Sequence, residues 1–194
     1  MEINLFNITY LFIRLAPFIL VCYFTLSSVF NQDLKGIIYL IGLLFACFAT
    51  ASLGNIKLFA VDSLPQLCKF ITLSNGSPIS NIPLGLTILS YTFFYLFYII
   101  GKEGLWANNV PTFLLFPILI LCDATWNLNN SCISIPGLIV SFIVGGIIGV
   151  LWASIITASG IDELKFFNGI SNKQTCSRPS KTLYKCTYTK KQNK

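Results

Sequence analysis

Two charged residues, Arg14 and Asp123, lie inside otherwise uncharged apolar stretches of this sequence. A charge in hydrocarbon costs about 3 kcal/mol or more unless it pairs or reaches water, so each is either half of a clamp or part of an ion pathway. Arg14 falls about 6 Å from one end of its span, and Asp123 falls at a similar depth on the same side. That match predicts an Arg14–Asp123 ion pair joining the first span to the fourth. The second chemical constellation is Cys176-Ser-Arg-Pro-Ser-Lys-Thr-Leu-Tyr-Lys-Cys186-Thr-Tyr188, near the C-terminus. Two cysteines alone do not complete a four-ligand zinc site, and the chain contains no histidine to help them. They are left as a candidate pair, Cys176 with Cys186, either bonded or as two thiols.

The missing histidine excludes more than zinc. It removes the commonest general base and the commonest metal ligand together. Histidine-dependent lipid phosphatases, acyltransferases, membrane metalloproteases and Ser–His proteases are all ruled out on this ground. Asp33, Asp62, Asp123 and Asp162 stand alone, so no carboxylate cluster is available for two-metal chemistry. Lys181-Thr182 has no glycine-rich loop before it to cradle phosphate. The expectation is a non-enzyme without metal or cofactor.

The elements that carry these residues are membrane-length blocks. Hydrophobic residues make up 55% of the 194 and charged residues 10%, against about a quarter charged in soluble domains. Five spans are predicted at about 10–30, 37–54, 84–100, 110–126 and 135–160, an all-α transmembrane bundle occupying residues 1–160. The fourth is the shortest at ~17 residues, and a tilted or re-entrant course fits that length as well as a full crossing. In the connector 55–82, Val61, Leu64, Leu67, Cys68 and Ile71 recur at helical spacing, which predicts an interfacial helix started or bent by Pro65. Ser74-Asn75-Gly76-Ser77-Pro78 reads as a turn before the third span. Residues 161–194 form a basic extramembrane tail, in which the alternation over 181–189 suggests a short β-strand.

Ridges of small residues recur every four positions on two spans: Gly42, Ala46, Thr50 and Gly54 on the second, Gly145, Gly149, Ala153 and Thr157 on the fifth. Every-four spacing stacks them on one helix face, where the lack of bulk lets two backbones approach. Packing within one chain is favoured over a homo-oligomer, and one such arrangement sets the two ridges face to face. Phe93, Phe94, Tyr95, Phe97 and Tyr98 crowd one half of the third span, and Trp106 and Trp126 flank the fourth as interfacial anchors. Cys22, Cys47 and Cys122 lie in apolar runs as small hydrophobes, as Cys68 does in the apolar-rich connector.

Charge sets the orientation. The net +6 is concentrated after Glu163, where Lys165, Lys173, Arg178, Lys181, Lys185, Lys190, Lys191 and Lys194 follow with no acid among them. Positive flanks stay cytosolic, which predicts a cytosolic tail and a lumenal N-terminus. The sequons at Asn7, Asn75 and Asn129 then fall on the lumenal side, as do Lys57 and Lys69, which run against the rule.

The tail motif, Cys-x-x-Pro-Ser-Lys-x-x-aromatic-x-Cys, resembles that of multi-span membrane proteins of the nucleocytoplasmic large DNA viruses. The Ser-Pro before the third span and the Asp123-x-x-Trp126-Asn127 run near Cys132 are similar too. The resemblance implies a location, a viral internal membrane or the host endoplasmic reticulum, and no activity. The leading expectation is a structural or assembly protein of such a membrane and its virion. Arg178, Lys181, Lys185, Lys190 and Lys191 would supply the tail's attraction, with Tyr184 and Tyr188 as anchors, toward a capsid or scaffold protein or anionic lipid. No specific nucleic-acid contact is expected. The second expectation is a small transporter or channel subunit with a polar site around Asp123.

Overall fold

The computed structural model describes residues 5–54, 56, 72–73, 77–78, 82–161 and 164–165, the side chains of 5–11, 13, 14, 72, 73, 77, 78 and 108 excepted. These residues form five α-helices, α1 (Leu5–Asn31), α2 (Lys35–Gly54), α3 (Leu84–Lys102), α4 (Val110–Asn129) and α5 (Ile135–Ala158), with a single 3-10 turn at Ala107–Asn109 before α4. The last four are long and apolar enough to cross a bilayer, and α1 is apolar over Leu15–Asn31. This is the composition and length of an integral membrane protein.

Local signals account for the helix limits. Ser134 caps α5 by accepting a hydrogen bond from the Gly137 amide. Proline occupies the first turn of both α4 and α5, where its missing N–H leaves no bond unmade. Gln32, Gly104, Ser131 and Gly160 take positive φ just beyond helix ends, reversing the chain within a few residues. The fourth segment is one continuous 20-residue helix that runs through Pro117, about 30 Å long.

Cross-helix contacts fix the relative directions. The Ser141 hydroxyl donates to the Pro83 carbonyl at 2.9 Å, so α3 and α5 start side by side and run parallel. Thr50 near the end of α2 meets Thr87 near the start of α3, so α2 runs opposite to both. At the other end, the Trp152 indole N–H donates to the Ile38 carbonyl at 3.0 Å, and Lys165 meets Glu103. The bundle thus has two ends. The end of α2, the start of α3 and the α4–α5 turn share one, the connector end. The α1–α2 turn, the α3–α4 turn and the exit from α5 share the other, the tail end.

The predicted interfacial helix falls in 57–71 and the tail strand in 181–189, both outside the described residues. Within the connector, Thr72–Leu73 and Ser77–Pro78 pair antiparallel, Thr72 with Pro78 and Leu73 with Ser77, across the place where the sequence predicts a turn.

Candidate functional site: a hydroxyl seam, a buried aspartate and an aromatic groove

The centre of the bundle is built on α3. In lipid the hydrophobic effect does not pull helices together, so close packing and interhelical hydrogen bonds must. Gly145 and Gly149 provide the first. A Cβ at Gly145 would lie 2.7 Å from the Thr87 carbonyl oxygen, and one at Gly149 would lie 2.6 Å from that of Tyr91. The α5 ridge therefore lies against the backbone of α3, not against the α2 ridge that the sequence suggests as a partner. The second ridge, Gly42, Ala46, Thr50 and Gly54, is buried along its length, with Gly42 under the Tyr91 hydroxyl and the Trp152 ring.

Hydroxyl groups then tie the three helices in two layers. Near the connector end, Thr87 lies 3.0 Å from Ser141, which donates to the Pro83 carbonyl. Thr50 lies 3.3 Å from Thr87 on the other side, and Ser90 donates to the Phe142 carbonyl at 2.6 Å. Nearer the tail end, Tyr39 bonds Thr92 at 2.6 Å, and the Tyr91 hydroxyl donates to the Tyr39 carbonyl at 3.1 Å. Helix carbonyls such as those of Tyr39, Ile38 and Phe142 can take these extra donors because an oxygen has two lone pairs. Around this layer the Tyr39 ring stacks on Phe24 with centroids 4.2 Å apart and meets Tyr91 and Tyr95 at 5.4 Å. Tyr95 is fully buried. It is a core residue, although its place in an aromatic run reads as membrane anchoring.

Asp123 is 2% exposed and Asn127, one turn on, is fully enclosed. The Asn127 amide donates to the Asp123 carbonyl at 2.7 Å and to its carboxylate at 3.1 Å. Arg14 lies on α1, but its side chain is outside the described residues, and with it the expected ion pair. Lys165 and Glu103, 2.8 Å apart, form an ion pair between segments distant in sequence. It ties the segment after α5 to the end of α3.

Between α3 and α4 at the tail end lies an apolar groove of about 670 Å³, lined by Phe93, Phe97, Trp106, Val110, Phe113 and Leu114, with Ala107. Trp106 stacks on Phe113 with centroids 5.0 Å apart and meets the edge of Phe97 at 5.2 Å. It is 45% exposed, which suits an amphipathic ring at the level of lipid headgroups.

Cys22, Cys47 and Cys122 are free thiols, each half-buried. Cys132, in the α4–α5 turn, is disulfide-bonded, which its polar surroundings in the sequence do not reveal. Among the described residues no three His, Cys, Asp or Glu side chains gather as a metal site. The tail residues Arg178, Lys181, Tyr184, Lys185, Tyr188, Lys190 and Lys191, and the pair Cys176 and Cys186, lie outside the described residues.

The hydroxyl seam is not among the features expected from the sequence. Its signal is Thr87, Ser90, Tyr91 and Thr92 within an apolar run, hydroxyls that in lipid must bond either a neighbouring helix or a carbonyl of their own. No protein family, curated protein or solved structure matches the chain.

Proposed function

We propose that this protein is a non-enzymatic, membrane-embedded scaffold whose rigid bundle presents a basic tail to a partner on one side of an internal membrane. The observation that carries the reading is the three-helix lock of α2, α3 and α5. Backbone-to-glycine contact and two layers of hydroxyl bonds occupy the interior where a moving transport element would need freedom. The Lys165–Glu103 pair supports the same reading, because it ties the base of the tail to the end of α3.

Orientation follows from charge. Lys35, Lys102, Lys165 and the seven basic residues after it belong to the tail end or to the segment leaving it, ten of the 13 Lys and Arg. By the positive-inside rule that end faces the cytosol. The tail then meets either anionic lipid or a capsid or scaffold protein, the latter if the membrane is that of a large DNA virus or the endoplasmic reticulum it draws on.

Cross-linking followed by capture from expressing cells tests the proposal, comparing the full chain with one ending at Lys165, which keeps the pair with Glu103. A protein partner recovered only with the full chain supports docking by the tail. Identical recovery from both chains reduces the tail to a topology signal.

The burial of Asp123 favours one second reading, a small transporter with that carboxylate in its path. Asp123→Asn keeps the shape and most of the bonding to Asn127. Transport lost with the fold retained would support this second reading over the scaffold.

A further inference from the structure

Of the seven cysteines, Cys22, Cys47 and Cys122 are free and Cys132 is bonded. Its partner is therefore Cys68, Cys176 or Cys186. Cys132 is 4% exposed and stands at the connector end, three residues before the 24-residue α5 begins. That helix, about 36 Å long, carries the chain across the bilayer before either tail cysteine is reached. To bring Cys176 or Cys186 back, a segment with a basic residue every few positions and no apolar run would have to recross hydrocarbon. Cys68 needs no crossing. It falls in the connector between α2 and α3, and the Thr50–Thr87 and Ser141–Pro83 contacts put both ends of that connector beside the start of α5.

We propose that Cys132 is bonded to Cys68, and that this bond marks the connector end as the side facing an oxidising compartment. The inference rests on the reading that the bundle crosses a membrane. Two thiols lose two protons and two electrons as the sulfur–sulfur bond forms. A disulfide-bearing oxidant of the lumenal kind accepts them and leaves as a dithiol. The compartment logic agrees with the charge logic, which is independent of it. The bonded cysteine lies at the end opposite the basic one, and stable disulfides belong to oxidising compartments while Lys- and Arg-rich flanks stay cytosolic. Cys176 and Cys186 then face a reducing compartment and remain thiols, one of the two states that the sequence leaves open.

The full chain in sealed, endoplasmic-reticulum-derived vesicles tests this. Free thiols are blocked with a membrane-permeant maleimide, and the protein is digested without reductant and mapped by mass spectrometry. A linked peptide pair containing Cys132 and Cys68 is expected. In parallel, an impermeant maleimide added outside the vesicles should label both Cys176 and Cys186. In Cys68→Ser it should label Cys132 only after the vesicles are opened. Alkylated Cys132 in the wild-type chain, or Cys132 linked to a tail cysteine, overturns the proposal, and the wild-type map stands even if the variant fails to fold. Extraction with alkaline carbonate tests the membrane crossing separately from the disulfide. Release of the protein from the vesicles sinks the membrane reading, whatever the disulfide map shows.

Discussion

At the scale of single residues, the two glycines of α5 that lie against the α3 backbone, Gly145 and Gly149, differ from an ordinary helical glycine, and the difference has a sign. Gly149 has no room for a methyl group, since its Cβ would lie 2.6 Å from a backbone oxygen, and a backbone moves less easily than a side chain. Gly149→Ala is expected to lose about 1 kcal/mol or more, overpacking outweighing the ~1 kcal/mol that alanine gains in helix propensity. Gly85 faces the Pro17 ring at an ordinary 3.4 Å, so Gly85→Ala should hold or raise stability. Thermal unfolding in detergent, followed by tryptophan emission, checks both; equal shifts would mean that the helices are not in the close contact described. Tyr39→Phe, which removes the 2.6 Å bond to Thr92, is expected to cost about 0.6 kcal/mol, the average for interhelical bonds in membranes. The ridges were legible because glycine and alanine every four residues have few other uses in a span. The hydroxyl seam was harder to read, because serine and threonine can also return their proton to a carbonyl of their own helix, as Thr25 and Thr157 do.

At the scale of elements, apolar run length was a sufficient guide to where α2 to α5 lie, and the helices overrun those runs where polar residues can reach the interface. Lys35 and Lys102 sit at such helix ends, their long stems able to lie along apolar surface while the charge reaches water. Which face of α5 packs inward was not readable from periodicity. That helix is apolar all round, so no stripe distinguishes core from lipid; only its small residues do. Nor did the aromatic run of α3 announce its division. Tyr91 and Tyr95 turn into the core, while Phe93 and Phe97 line the groove against α4. The division makes a prediction for the two tryptophans at the tail end. Trp106 is open to lipid, whereas Trp152 is half-buried with its N–H held by α2. In vesicles containing brominated lipids, Trp106 emission should be strongly quenched and that of Trp152 weakly, read from variants that keep one tryptophan each. Equal quenching would mean that the α2–α5 contact is open to lipid.

At the scale of the whole molecule, the two ends of the bundle differ in charge, and the difference follows from which residues each segment carries. The connector end and its flanks hold Arg14, Lys57 and Lys69 against Glu2, Asp62 and Asp123, no net charge, while the +6 of the chain belongs to the other end. Most of that bias comes from the tail, so the tail can act as orientation signal, docking element or both, and these separate by experiment. Replacing the seven basic residues after Lys165 with glutamine leaves three basic residues at each end. If the tail's charge sets the topology, the wild-type chain should expose a C-terminal epitope fully to protease outside sealed vesicles. The neutralised chain should protect part of it, and its Cys132 should reach the impermeant maleimide in the same proportion, because a reversed bundle carries the connector end into a reducing compartment. If the neutralised chain keeps a single orientation with Cys132 still bonded, the helices themselves fix the topology. The tail's charge is then free to serve a partner, and loss of cross-linked partner in that same variant would tie the docking role to the charge.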